Sequence, residues 1–189
     1  GYGSLDIYTI ASNGLTLSPQ TSTRGELPAP QGAASGVVGA TMYTFNGLVF
    51  PGEAAVEAHT LDTSSGVLGS VAGSPAGDPT SRGGTSANVL FIPGLNLVTQ
   101  TEQVTNSVAS YSVTGGHFQL VNHAALDSSA SYPASQTTIA HYLLVENGGS
   151  GTISACHLAS NGISGCFMAA TLTSNGGQRQ PGGIGVIPA

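Results

Sequence analysis

The sequence predicts an all-β protein built as a β-propeller of about four blade-like repeats, with four antiparallel strands to a blade. Three observations carry that expectation: apolar residues alternate over short runs, glycine and proline punctuate the runs, and one strand–turn–strand pattern recurs at near-constant spacing.

Alternation comes first. Leu5–Ile10, Val56–Leu61, Val108–Val113 and Ile153–Leu158 alternate apolar and polar residues with a period of two, as half-buried strands do. No stretch has the 3.6-residue period of an amphipathic helix. Between the runs lie Gly, Asn, Ser and Pro clusters, drawn from 28 glycines and 10 prolines. These residues preset or tolerate the backbone angles that tight turns need.

Recurrence comes second. Each of four segments reads strand, turn, strand: Ser4–Ile10 then Asn13–Leu17, Ala55–Leu61 then Ser65–Leu68, Ser107–Val113 then Gly115–Phe118, and Thr152–Leu158 then Asn161–Ser164. A Tyr or His recurs within them as Tyr8, His59, Tyr111 and His157, each following the last by 51, 52 and 46 residues. Four-stranded propeller units repeat at about 40–50 residues, whereas β-helix repeats are much shorter. The expected repeats are approximately 1–30 plus 181–189, 31–80, 81–130 and 131–180, in one domain. The first opens on an outer pair of strands. The chain ends on an inner-strand pattern, so Ile184–Ile187 is expected to complete the blade that holds Leu5–Ile10. Joining that strand to another copy instead, by strand exchange, stays open as a route to self-association.

Composition excludes several function classes. Only 6% of residues are charged, against roughly 25% in typical soluble domains. A hydrophobic fraction of 40% still allows a core, so the surface must be hydroxyl- and amide-rich rather than charged. The net charge of −6 and the three arginines, Arg24, Arg82 and Arg179, with no lysine, argue against nucleic acid and anionic membrane partners. No apolar run approaches the ~18 residues of a spanning helix. The opening Gly1-Tyr2-Gly3-Ser4 is expected to follow a removed signal peptide or larger precursor segment, which points to a secreted, extracellular protein. Cys156 and Cys166 flank an Asn-Gly turn. They are expected to form a disulfide across a hairpin, the alternative being two small buried hydrophobes.

The run Arg82–Gly94, followed by Leu97–Glu102 and Thr105–Val108, resembles the inner strand, turn, second strand and third strand of lactonase-type propellers. That family includes 3-carboxymuconate cyclase and 6-phosphogluconolactonase-like proteins. Gly66–Pro75, Gly151–Ser154 and Gln180–Val186 are similar to its blade pattern as well. Its members usually carry about seven blades in a chain near twice this length. The resemblance implies a lactone-forming or lactone-opening reaction on a carboxylated substrate, with Arg82 and Arg179 as carboxylate partners and Glu102 beside them.

Candidate chemistry is otherwise thin. His59, His117, His123, His141 and His157 show no ligand-like spacing, and exposure is the expectation for His117 and His123 on their hairpin. Glu102 and Glu146 end second strands that look equivalent. A structural role is expected for both, with general acid or base as the alternative. Cys156 and His157 are strand neighbours pointing to opposite faces, so they cannot act as a pair. Few tyrosines (Tyr43, Tyr132, Tyr142) could present a sugar platform. No metal-ligating set and no cofactor is expected. The leading expectation is therefore a non-catalytic propeller used in surface binding or self-assembly. The competing one is a lactonase or carboxymuconate cycloisomerase-like enzyme using Arg82, Glu102 and Arg179 on a small carboxylated ligand.

Overall fold

In the computed structural model the backbone is described for residues 2–10, 12, 17–28, 32–50, 53–81 and 85–172, and side chains for 12, 32–47, 54–81, 85 and 87–172. Fifteen strands form there, with no α-helix among the described residues. β1 (Tyr2–Ile10) and β2 (Leu17–Pro28) make an antiparallel pair, here called blade I. Blade II is β3 (Gly32–Val38), β4 (Thr41–Phe50), β5 (Glu53–Leu61) and a broken fourth strand, β6 (Leu68–Ser70) and β7 (Ala76–Gly77), both paired with β5. Blade III is β8 (Ser86–Ile92), β9 (Leu97–Glu102), β10 (Ser107–Thr114) and β11 (His117–Ala125). Blade IV is β12 (Pro133–Ile139), β13 (Tyr142–Asn147), β14 (Thr152–Ala159) and β15 (Gly162–Thr171). The first strands lie side by side, β3 against β8 and β8 against β12, so each blade runs outward from an inner rim. The C-terminal strand expected at Ile184–Ile187 lies outside the described residues.

Short turns fix the pairing. Gly115 and Gly116 join β10 to β11 with φ of 59° and 79°, the two positive angles that a two-residue hairpin turn matching strand twist requires. The four strand–turn–strand segments of the sequence correspond to β1–β2, β5–β6, β10–β11 and β14–β15. The recurrent Tyr/His does not mark one position, however. Counted back from the pairs that close each hairpin, Leu61–Leu68, Thr114–His117 and Ala159–Gly162, Tyr111 matches Ala58 and Cys156, all buried. His59 and His157 match Ser112 on the opposite face. The Cys156–Cys166 disulfide is formed and ties β14 to β15. It fits a compartment outside the reducing cytoplasm. No helix among the described residues is long and apolar enough to cross a membrane.

The core lies between blades. One cluster joins Tyr43, Phe45, Val56 and Ala58 of blade II to Phe91, Val98, Tyr111 and Phe118 of blade III. Phe45 stacks on Phe91 at 5.6 Å, and Tyr111 on Phe118 at 5.5 Å. A second joins Ile92, Leu97 and Val108 of blade III to Leu143, Val145, Leu158 and Ile163 of blade IV. Neighbours such as Leu97 and Val98 thus face different cores, and every residue of β9 is buried. Polar ties cross both junctions as well: Gln100 Nε2 donates to Ala55 O of blade II at 2.7 Å, and Asn122 Nδ2 to Ile163 O of blade IV at 2.7 Å.

Candidate functional site between blades II and III

Glu102 closes β9 and Ser107 opens β10 directly opposite it, with Ala109 facing Gln100 one step along. Alternation puts Gln100 and Glu102 on the face of blade III that meets blade II. His123 reaches the same face through an irregularity. Leu120 pairs with Tyr111 but Asn122 pairs with Ser110, so Val121 is an extra residue and β11 bulges there. Plain alternation from Phe118 and Leu120 would send His123 to the far face. The bulge turns it toward blade II, a common use of bulges.

Asp78 comes from blade II. It follows β7 directly, and its N–H continues the pairing by donating to Ala54 O at 2.9 Å. The turn behind it is fixed: Thr80 donates to Asp78 Oδ1 from both its N–H (2.8 Å) and its hydroxyl (2.6 Å), and the Ser81 N–H to Asp78 O (3.0 Å).

These three side chains meet in the cleft. His123 Nδ1 lies 2.5 Å from Asp78 Oδ2 and 3.4 Å from Glu102 Oε2. Both carboxylates are fully buried, and the His123 side chain is 23% exposed, so the imidazole forms the solvent-facing wall. Burial alone would raise the Asp78 carboxyl, but the Thr80 hydrogen bonds and His123 outweigh it and hold it below the usual carboxylate range. Asp78 is therefore the acceptor and His123 Nδ1 carries the proton. Glu102 is driven the other way. Burial, reinforced by the Asp78 charge and opposed by hydrogen bonds from Ser107 and Thr105, pushes it up to about 8. Ser107 Oγ donates to Glu102 Oε2 at 2.7 Å, while the buried Oε1 has no hydrogen-bond partner.

No metal-ligating set was expected from the sequence, yet the fold brings three candidate donors together. Asp78, Glu102 and His123 each offer a ligand atom, and those atoms lie within 4.8 Å of one another. They are 24 and 21 residues apart in sequence, so no local spacing motif reveals them. Of the sequence-derived site residues, Glu102 is in the cluster, whereas Arg82 and Arg179 lie outside the described residues. Asp78 and His123 were missed. One signal was available: an Asp followed two residues later by Thr or Ser ends both blade II (Asp78, Thr80) and blade III (Asp127, Ser129).

The next cleft holds the counterpart. Asp127 Oδ1 accepts from the N–H and hydroxyl of Ser129, and Asp127 Oδ2 accepts from Ser154 Oγ of blade IV at 2.5 Å. Asn147, the last residue of β13, stands where Glu102 stands in β9, and donates to Thr152 Oγ1 and Ser154 Oγ. Glu146, which looked equivalent to Glu102 in sequence, is one residue short of that place. The same socket is thus uncharged apart from its aspartate between blades III and IV, and carries two acids and an imidazole between II and III.

Among solved structures the chain is similar to a 6-phosphogluconolactonase-type protein of Bacteroides fragilis, with 13% identity over 87% of this chain and 50% of that one, at a TM-score of 0.61. It is similar also to the periplasmic gluconolactonase of Pseudomonas aeruginosa, with 11% identity over 89% and 48%, at a TM-score of 0.66. The fold is that of the lactonase-type β-propellers. A protein of Desulfotomaculum acetoxidans described as functionally unknown gives 10% identity over 90% and 50%, with a TM-score of 0.65. This chain spans about half the length of the solved propellers it matches. No family model and no curated protein matches the sequence.

The leading expectation, a non-catalytic propeller for surface binding or self-assembly, is overturned by these findings. It rested on the lysine-free, hydroxyl-rich surface, the short ring and the lack of a site, whereas the proteins sharing this fold include lactonases. The buried Asp–His–Glu cluster removes one of those three grounds.

Proposed function

We propose that the protein acts on a small carboxylated lactone outside the cytoplasm, opening the ring ester by hydrolysis. The observation that carries this reading is the meeting of Asp78, His123 and Glu102 at one partly solvent-facing point of a lactonase-type propeller. Ester opening needs a water relieved of a proton, a stabilised carbonyl oxygen and a proton returned to the ring oxygen. Two carboxyl groups and an imidazole in mutual contact supply donors and acceptors of the required kind. Arg82 and Arg179 complete the reading as partners for the substrate carboxylate, since guanidinium binds carboxylate bidentately. Secretion fits the disulfide and the charge-poor surface.

The test is turnover of a carboxymethyl-substituted butenolide, with an uncharged δ-aldonolactone as the comparison, followed as acid release. H123N is expected to lower kcat by about 10²–10⁴-fold, the usual worth of a positioned acid or base. R82A is expected to raise KM with kcat little changed. Equal turnover by H123N, E102Q and the parent would sink the assignment.

A further inference from the structure

We propose that Asp78, Glu102 and His123 form a binding site for a divalent transition-metal ion of the zinc or manganese class. The side chains alone carry the binding. A role for the ion in polarising a lactone carbonyl rests on the function proposed above.

Three observations support it. The first is the donor set: one imidazole nitrogen and two carboxylates suit zinc or manganese better than calcium, which takes six to eight oxygens. The second is the orphan. Glu102 Oε1 is buried with no hydrogen-bond partner, at the end of a side chain whose other oxygen is already held by Ser107. An unpaired buried carboxyl oxygen is costly, and a cation is the partner that removes the cost. The third is the counterpart between blades III and IV. Asp127, Asn147 and Ser154 fill that socket with hydrogen bonds between an acid, an amide and hydroxyls. The blade junction therefore does not need a second carboxylate or an imidazole to hold together.

Geometry is compatible. Donors bound at about 2.1 Å around a tetrahedral ion stand about 3.4 Å apart, and the Glu102 carboxylate reaches 3.4 Å from His123 Nδ1 through Oε2, the oxygen that also accepts from Ser107. The Asp78–His123 pair is closer because a proton bridges it. The ion replaces that proton, which leaves to solvent, and the two atoms move apart by under about 1 Å to reach the same separation. Three protein ligands leave a zinc-type ion one coordination position for water or a substrate oxygen.

The test is calorimetric titration of EDTA-treated protein with ZnCl2, MnCl2, MgCl2 and CaCl2 at pH 7.5. One saturable site per chain is expected for zinc or manganese. D78N and E102Q, which keep side-chain shape and act from opposite walls, should each weaken it by at least about tenfold. D127N, the matching change in the neighbouring socket, should bind like the parent. No saturable binding of zinc or manganese, or binding unchanged in both D78N and E102Q, overturns the site. Lactone turnover is measured in parallel. Binding at the cluster without turnover keeps the site and removes the lactone reading, whereas turnover without binding does the reverse.

Discussion

Glu102 and Asn147 close the second strands of successive blades, yet one is an acid and the other an amide. That difference has a thermodynamic signature. In metal-free protein the native Glu102 carboxyl titrates near 8, against 4.5 for the ordinary group. Between those values the unfolded chain ionises while the native one keeps its proton. Stability is therefore full below about pH 4.5 and falls as pH rises toward 8, with a slope of at most ~1.4 kcal/mol per unit from this group. Asp78, held below the usual carboxylate range, has the opposite sign but acts only at lower pH. Urea unfolding of chelated protein from pH 5 to 8.5 should show the decline, and E102Q should flatten it. An unchanged slope in E102Q would place the titrating group elsewhere. Glu102 was legible in the sequence because it ends the second strand of the blade pattern. Asp78 and His123 were not, since one lies across a blade junction and the other follows a bulge that breaks the alternation from which its face would be read.

At the scale of the element, the hairpin pairs were readable because Gly115-Gly116 and Asn161-Gly162 announce turns. The broken fourth strand of blade II was not, because its two short pieces pair separately with β5. Inner strands add a packing constraint that composition alone does not show. Gly36 of β3 has no side chain for a specific reason: a Cβ there would stand 1.9 Å from Cδ1 of Phe91 in β8. Phe91 cannot retreat freely, since it stacks on Phe45. G36A is expected to cost about 1–3 kcal/mol through overpacking, read as a lower urea midpoint with an unchanged m-value. F91L should recover part of the loss in the double variant. A G36A protein as stable as the parent would mean that β3 and β8 do not meet as described.

Across the whole molecule, blade III is a sheet with no free face. Among its polar ties to blade IV are those of Gln136 of β12, which donates to Asn88 O at 3.1 Å and Thr99 O at 3.0 Å and accepts from Thr99 Oγ1 at 2.8 Å. Removing that amide deletes three hydrogen bonds across the junction, at about 1–3 kcal/mol. Q136A is accordingly expected to loosen blade IV from blade III. Thermal unfolding should then broaden or split, monitored by calorimetry, while a single sharp transition at the parental temperature would refute the coupling. The repeat and the class were readable at this scale because spacing survives even where residues diverge. The ring closure expected of Ile184–Ile187 lies outside the described residues.

The paired sockets have an evolutionary corollary. A protein made by copying one unit carries a spare of every junction, and the spare relaxes selection on its twin. With Asp127, Asn147 and Ser154 keeping one junction closed, the corresponding junction carries a second acid and an imidazole that closure does not require. Three positions separate the plain copy from the charged one: Asn147, Ser154 and Met168 stand where Glu102, Ala109 and His123 stand, because Met168 pairs with Ser154 as His123 pairs with Ala109. New chemistry in such a chain arises by editing a duplicate, with no new loop and no new fold.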